Sequence, residues 1–263
     1  MKEEIRFLCR SALLWGVIFS SVPVIGNLRA QEVDIDYWVW AGQSHTDISK
    51  SEHHVLTQCE QQKYHCRINN PRVLVRSWTG EKASLSIKHN SPRQFDKSSL
   101  VILSYRLENL VDDKEVGAII QRDINIWRRA ERPVATIEID YDSPSAGLEE
   151  YRQWLVKLKS RLRGGMPLSI TGLPTWFEDN HKQAIKLAGS VNEVSLMFYR
   201  QERTPITQHL LSAIRRVNNV RYAFLCDDNR WEALVRERKK NETFRMAIFL
   251  LSRCIGVGDP DLS

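Results

Sequence analysis

The sequence lacks the short motifs that mark several common enzyme classes. None of its 12 glycines stands in a Gly-x-Ser-x-Gly elbow, which disfavours a serine hydrolase built on that motif. No glycine-rich phosphate loop follows the first predicted strand, and a dinucleotide-binding fold would need one. No Cys-x-x-Cys spacing occurs, and the seven histidines are scattered without partners at a metal-site spacing. We therefore expect neither a bound metal ion nor a cofactor.

A concentrated basic tract is also absent. The chain has 38 basic and 32 acidic residues, and its formal net charge at pH 7 is +6. The excess is spread through predicted helices, and a cluster such as Lys159, Arg161 and Arg163 closes a helix, where the helix dipole favours cations. The sequence therefore predicts no nucleic-acid partner.

No uncharged run reaches about 20 residues, the length that a membrane-spanning helix needs. Two arginines precede the mostly apolar run Ser11–Asn27, and Leu28-Arg29-Ala30 follows it. This order is typical of a signal peptide. We expect residues 1–30 to be removed and residues 31–263 to form a single barrel-like domain, exported to the periplasm or the cell exterior. An uncleaved membrane anchor is the alternative, and membrane contact would then be confined to this segment.

Removal of that segment would leave four cysteines: Cys59, Cys66, Cys226 and Cys254. An exported protein permits disulfides. Cys59 and Cys66 form the more credible pair, because they would close a small loop in a polar stretch. Cys226 and Cys254 lie at the ends of two apolar strands, where reduced core cysteines fit equally well.

Strands and amphipathic helices alternate from Leu100 onward, which is typical of parallel strands joined by right-handed crossovers. The part before Leu100 is less regular and contains a polar stretch from Gln43 to Asn70. Eight strands are expected, centred on Tyr37, Val73, Leu100, Val134, Leu168, Val194, Val220 and Met246. The sequence thus predicts an α/β fold, a (β/α)8 TIM-like barrel that is degenerate in its N-terminal third. An open doubly wound sheet is the alternative.

Three carboxylates occupy alternate positions of the fourth predicted strand, in the run Ile137–Pro144. Successive side chains of a strand point to opposite faces, so Glu138, Asp140 and Asp142 share one face. A covered face is costly for three acids, which favours a functional use. Catalytic groups of a barrel stand at the carboxyl ends of its strands, so Asp140 and Asp142 are the leading candidates, with Glu138 one layer deeper. A solvated edge strand or an ion-paired network is the alternative.

Neighbouring strands supply candidate substrate-binding residues by the same rule. The candidates are Arg106 and Met197 on the faces that reach the carboxylates, and Trp38, Trp40 and Trp176 near predicted strand ends. Tyr199 shares a face with Met197 and joins the three acids as a catalytic candidate. An arginine can partner carboxylates. Tryptophan faces suit sugars, whose C–H faces are apolar while their hydroxyls need polar partners. A carbohydrate is therefore the expected ligand.

Four short motifs occur together along the chain. They are Tyr37-Trp38-Val39-Trp40, Ser104-Tyr105-Arg106, Ile139-Asp140-Tyr141-Asp142 and the run from Leu168 to Trp176. With these motifs the chain, from Trp38 to about Cys226, resembles the domain of unknown function 3142 family of exported bacterial proteins. That family has no assigned activity, so the resemblance supports the fold more than the function.

Two regions of the chain also show a fainter likeness to family 18 glycoside hydrolases. The run Glu138–Pro144 falls in register with that family's Asp-x-Asp-x-Glu strand, and Met197–Arg200 with its Met-x-Tyr-Asp. The resemblance implies that Asp142 is a general acid, and that Asp140 and Tyr199 hold a substrate amide. This chain departs from the pattern in three places: the acid is one methylene shorter, a glutamate replaces the first aspartate, and an arginine follows the tyrosine.

These observations favour a glycan-directed, glycosidase-like hydrolase in which Asp142 acts as general acid. Two alternatives stay open. One is a non-catalytic carbohydrate-binding protein, and the other is a metal-dependent hydrolase that uses the three strand carboxylates as oxygen ligands. Strand geometry argues partly against the metal site, because alternate residues lie about 6.5–7 Å apart and three in line seldom converge on one ion.

Overall fold

The computed structural model describes seven stretches of the chain: residues 32–40, 64–80, 86–97, 100–201, 206–225, 230–237 and 244–249. It also describes isolated positions between residues 49 and 61, and residue 228. The predicted signal segment lies outside the described residues. Within them, no helix has the length and apolarity that a bilayer crossing requires.

The described elements alternate as the sequence predicts. The strands are β1 (Glu32–Val39), β2 (His65–Trp78), β3 (Ile87–Lys88), β4 (Val101–Leu107), β5 (Val134–Tyr141), β6 (Leu168–Gly172), β7 (Glu193–Met197), β8 (Val220–Leu225) and β9 (Phe244–Phe249). The α-helices are α1 (Asp113–Arg129), α2 (Leu148–Arg161), α3 (Thr175–Asp179), α4 (His181–Ser190), α5 (Gln208–Ile214) and α6 (Arg230–Glu237).

Eight of these strands close into a parallel barrel. Around the ring the order is β1, β9, β8, β7, β6, β5, β4 and β2, and β2 pairs in parallel with β1 to complete it. The short strand β3 adds to β2 in antiparallel fashion. The predicted (β/α)8 barrel is confirmed, and a closed ring excludes the open sheet.

The N-terminal third is irregular because its crossovers carry little regular helix in the described residues. Between β2 and β4, residues 86–97 form β3 and a single 3-10 turn, Pro92–Gln94, where later crossovers have an α-helix. Cys59 and Cys66 are joined by a disulfide, as predicted, and this links the crossover before β2 to that strand.

Local sequence explains where the outer helices begin. Asp112 caps α1 by accepting hydrogen bonds from the backbone N–H groups of Lys114 and Glu115, both at 3.0 Å. Ser143 and Pro144 have the residue types of an N-cap and a first helical position, but the second helix begins later. A 3-10 turn over Ser145–Gly147 comes first, and α2 starts at Leu148.

Side-chain alternation on the strands creates two separate interiors. On β5, Ile137 and Ile139 point outward into the apolar layer between sheet and helices. Their neighbours Glu138 and Asp140 point into the barrel, where both are buried. The barrel interior is therefore unusually polar, and the three strand carboxylates belong to it.

Candidate active site

The three carboxylates of the acidic strand rise from the barrel interior to its mouth. The Glu138 side chain is 0% exposed, that of Asp140 6% and that of Asp142 21%. Asp142 directly follows the last residue of β5, at the carboxyl end of the barrel strands. Barrel enzymes place their catalytic groups at this end, so the two aspartates occupy the face on which chemistry is expected.

Glu138 belongs to a set of paired charges that we call the interior charge network, and all of them except Arg245, whose side chain is 38% exposed, are buried. Its members are Asp36, Arg72, Glu138, Glu193, Arg221 and Arg245. Three cations and three anions balance one another there. Such pairs satisfy the requirement that a buried charge be matched.

Arg72 is the centre of the interior charge network and is fully buried. It donates to the carboxylates of Glu138 and Glu193, and to Asp36 Oδ2 at 2.8 Å. Burial opposes the charge of Arg72, but the carboxylates of Glu138 and Asp36 outweigh it and raise the pKa of the guanidinium. The Trp38 Nε1 donates to the second oxygen of Glu138 at 2.8 Å. Glu138 therefore anchors the barrel interior, away from the open mouth.

Arg106 joins the other two acids in what we call the mouth triplet: Arg106, Asp140 and Asp142. Its guanidinium donates to Asp140 Oδ2 at 2.9 Å and to Asp142 Oδ2 at 2.7 Å. Thr171, on β6, donates its hydroxyl to Asp140 Oδ1 at 2.7 Å. Burial works against the charge of Arg106, yet the two aspartates raise the pKa of its guanidinium. The acids thus share a cation instead of facing one another unscreened.

The predicted aromatic and sulfur-bearing residues lie at different depths. Trp38 and Met197 are buried in a small apolar cluster inside the barrel. Trp40 and Tyr199 are half-buried and pack against that cluster. The Tyr199 hydroxyl donates to Met197 Sδ at 3.0 Å. Trp40 and Tyr199 are therefore the two side chains of this group that a ligand at the mouth could touch.

Trp176 lies in a different layer of the protein. It is 1% exposed, in the core outside the barrel, and its Nε1 donates to the Ser143 carbonyl at 2.7 Å. Its ring packs edge-on against Tyr151 of α2, with ring centroids 6.3 Å apart. A ring buried in this way has no face for a sugar to stack on, which corrects the expected platform role.

A cavity of about 360 Å³ adjoins the mouth triplet at the carboxyl ends of β2 and β4. Its lining includes Trp40, Trp78 and Arg106, together with Ser77 and His89. The Ser77 hydroxyl and His89 Nε2 are 2.8 Å apart. The sequence did not indicate this serine–histidine pair, because the residues form no motif and meet only through the short β2–β3 hairpin.

The geometry of the strand carboxylates does not favour a metal site, because each of them is bound to an arginine. Glu138 is engaged by Arg72, and the two aspartates are engaged by Arg106. Across the ranges that the structure describes, no group of three histidine, cysteine or acidic side chains is arranged to hold a metal ion.

Comparison with known sequences gives one family match. The family described as Domain of unknown function (DUF3142) matches residues 99–199, which contain the acidic strand and most of the mouth. Comparison with curated protein sequences gives no significant match.

Solved structures resemble the chain over a larger part of its length. The spore cortex-lytic enzyme SleL of Bacillus cereus has a TM-score of 0.50 at 12% identity, over 75% of this chain and 50% of that one, so the chain spans half of that enzyme's length. The catalytic domain of a family GH18 chitinase from the fern Peteris ryukyuensis has a TM-score of 0.53 at 10% identity, over 86% and 94% of the two chains.

An inhibitor protein shares the same architecture. The xylanase-A-amylase inhibitor protein XAIP-III has a TM-score of 0.53 at 15% identity, over 83% of this chain and 93% of that one. Identities this low establish a shared fold alone. The chain therefore has a glycosidase-like barrel, of a kind found in an enzyme and in an inhibitor.

Proposed function

We propose that the chain is a glycan-directed protein that binds a carbohydrate at the carboxyl end of its barrel. The observation that carries this proposal is the mouth triplet beside a cavity lined by the half-buried Trp40. Sugar recognition needs charged or polar groups for hydroxyls and an aromatic surface for the apolar ring face. Both kinds of group stand together here.

The mouth triplet supplies fixed hydrogen-bonding groups to such a ligand. Asp140 is held on one oxygen by Thr171 and on the other by Arg106, so its orientation is set before a ligand arrives. Asp142 is more exposed and is the acid that a ligand meets first. Groups that are already ordered bind without a further loss of side-chain entropy.

Glycoside hydrolysis with Asp142 as general acid is the second candidate function. Hydrolysis is favoured by the position of Asp142, which is the most exposed of the three acids and lies at the end of the barrel strand. A general acid must reach the leaving-group oxygen of its substrate, whereas Asp142 Oδ2 is occupied by Arg106. Cleavage therefore requires the Arg106 bond to Asp142 to open when substrate binds. By analogy with family 18, we propose that Asp140 and Tyr199 then hold a substrate amide.

Oligosaccharide binding and turnover separate the two functions. We expect β-linked amino-sugar or glucan oligomers to bind the wild type in calorimetry, and Arg106→Met to weaken that affinity at least 10-fold. The matched control is Arg67→Met. Arg67 is an exposed arginine that pairs with Asp34 near the N-terminal ends of β1 and β2. Equal affinity in the wild type and Arg106→Met would exclude the mouth as the binding site.

Asp142→Asn then tests hydrolysis. If Asp142 is a general acid, the variant should lose cleavage by a factor of about 10²–10⁴ while it still binds oligomers. If the protein only binds glycans, neither form should release product, and the variant should bind more weakly. Product formation that is equal in both forms would remove Asp142 from the reaction.

We also propose that the protein is exported and loses residues 1–30. The Cys59–Cys66 disulfide supports export, because disulfides persist in oxidising compartments. Mass spectrometry of the protein from its native host should find a mature terminus near Gln31. An intact Met1 would favour the membrane anchor.

A further inference from the structure

The cavity beside the mouth triplet contains a serine and a histidine that glycan binding does not use. Ser77 lies on β2 opposite Arg106 of β4, so its side chain points toward the barrel mouth. His89 follows β3, and its backbone N–H donates to the Val75 carbonyl at 2.9 Å, which fixes the histidine against β2. The result is a half-buried hydroxyl held 2.8 Å from an imidazole nitrogen.

This pair has the features of an activated nucleophile. Burial lowers the pKa of His89 below its ordinary value, so its imidazole is neutral at neutral pH and can accept a proton. A serine within hydrogen-bond reach of such a base is the arrangement that covalent catalysis requires. The described cavity lining also includes the cation Arg106, whose guanidinium is already bound by Asp140 and Asp142, and the anion Glu108.

We propose that Ser77 and His89 form a nucleophile–base dyad that hydrolyses acyl esters. Ser77 Oγ attacks the ester carbonyl carbon while His89 Nε2 takes the hydroxyl proton. The carbon–oxygen bond to the alcohol then breaks, and the imidazolium gives its proton to the departing oxygen. Water, deprotonated by His89, next attacks the acyl-serine carbonyl. The bond from that carbon to Ser77 Oγ breaks, the imidazolium returns its proton to Oγ, and the carboxylic acid leaves.

The cavity indicates which ester it would accept. A volume of about 360 Å³ has room for a short acyl chain, and Leu74 and Trp78 give it an apolar wall. The alcohol side of the ester would extend toward the mouth triplet, where the proposed glycan lies. The inferred substrate is therefore a short O-acyl group on a sugar hydroxyl. The sugar part of this inference rests on the proposed function, whereas the ester chemistry does not.

Active-site labelling and ester hydrolysis test the dyad on the full chain. A fluorophosphonate should label Ser77, as located by peptide mass spectrometry, and p-nitrophenyl acetate should be hydrolysed. Ser77→Ala should abolish labelling and reduce hydrolysis at least 100-fold. His89→Ala should reduce it about 100-fold, and added imidazole should restore part of the rate.

Ser145→Ala is the matched control, because that serine contacts Asp179 away from the cavity, and it should behave as wild type. Labelling that misses Ser77, or hydrolysis that survives Ser77→Ala, would overturn the proposal. Oligosaccharide affinity is measured separately on the same variants. Loss of ester hydrolysis with intact glycan binding in the Ser77 and His89 variants supports the dyad. This result does not depend on whether Arg106→Met weakens glycan binding.

Discussion

Replacement of Arg72 by methionine tests the energetic role of the interior charge network. Methionine keeps much of the length of arginine but removes its charge and its donors. Arg72 is fully buried and is the cation that binds Glu138, whose side chain is also fully buried. Asp36 and Glu193 keep Arg221 as a partner at 3.3 and 3.1 Å. Glu138 is therefore the acid that would lose its cationic partner when Arg72 is replaced.

The magnitude follows from this imbalance. Removal of one partner from a buried ion pair costs about 3–5 kcal/mol, because the remaining charge is left uncompensated in the interior. For a domain of this size, 1 kcal/mol corresponds to about 2–4 °C in the thermal midpoint, so Arg72→Met should lower it by about 6–20 °C. Arg67→Met removes an arginine whose side chain is 58% exposed, and should cost at most about 1 kcal/mol.

Urea denaturation of four proteins completes the test: wild type, Arg72→Met, Glu138→Gln and the double variant. The double variant has no unpaired carboxylate at position 138. Its loss of unfolding free energy should therefore be smaller than the sum of the two single losses, by a coupling of about 0.5–3 kcal/mol. An Arg72→Met protein within about 1 kcal/mol of the wild type would refute the idea that this network is matched charge by charge.

Three further predictions depend on single contacts. Gly172→Ala should cost about 1–3 kcal/mol in urea denaturation, since its Cβ would lie 2.8 Å from the Trp176 ring. Gly189→Ala, with nothing within 4 Å, should be neutral or stabilising by up to about 1 kcal/mol. Trp40→Ala should weaken oligosaccharide binding by about 1 kcal/mol, roughly fivefold to tenfold in Kd; Trp176→Phe should lower the thermal midpoint without changing Kd. NMR should place the pKa of His89 below 6.5, because burial disfavours the charged imidazole. The free energy of unfolding should therefore be unaffected by His89 above pH 6.5 and should fall as the pH drops from 6.5 through the folded-state pKa.

The sequence predicted the barrel well because its signals are local and repeated. Hydrophobic runs marked each strand, and alternation fixed the inward face of β5, which brings Asp140 and Asp142 to the mouth. Arg106 was predicted from the same alternation. These features depend on the two-residue alternation of side chains along a strand, which can be read directly from the sequence.

Partners across the barrel could not be predicted in the same way. Arg72 follows Asn69-Asn70-Pro71, which suggests a loop, yet β2 continues through it because β1 pairs with β2 on both sides of these asparagines, at Ile68 and at Pro71, and β4 pairs with it from Arg72 onward. The three acids were expected to serve a function, with an ion-paired network as one alternative, and the structure does give each acid a cation from another strand. That outcome depends on the register between strands, which single-strand periodicity does not contain.

Helix boundaries were wrong where a single residue interrupts the apolar period. The apolar period alone indicates one helix from Thr175 to about Gly189, but Asn180, with φ −146°, separates α3 from α4. Thr204-Pro205 resembles a helix start and lies outside the described residues; in the part that the structure describes, Thr207 caps α5, which begins at Gln208. Terminal turns depend on tertiary packing as much as on capping signals.

The interior charge network also constrains the order in which the barrel can assemble. It joins residue 36 on β1 to residue 245 on β9, and Arg72 to Glu193. A ribosome delivers Asp36 and Arg72 long before Glu193 and Arg221, so a nascent chain has no complete set of counter-ions for its first strands. Contacts of such long sequence separation form slowly. The ring should therefore close in one late step, after the last strand emerges, and its early strands should stay solvated until then.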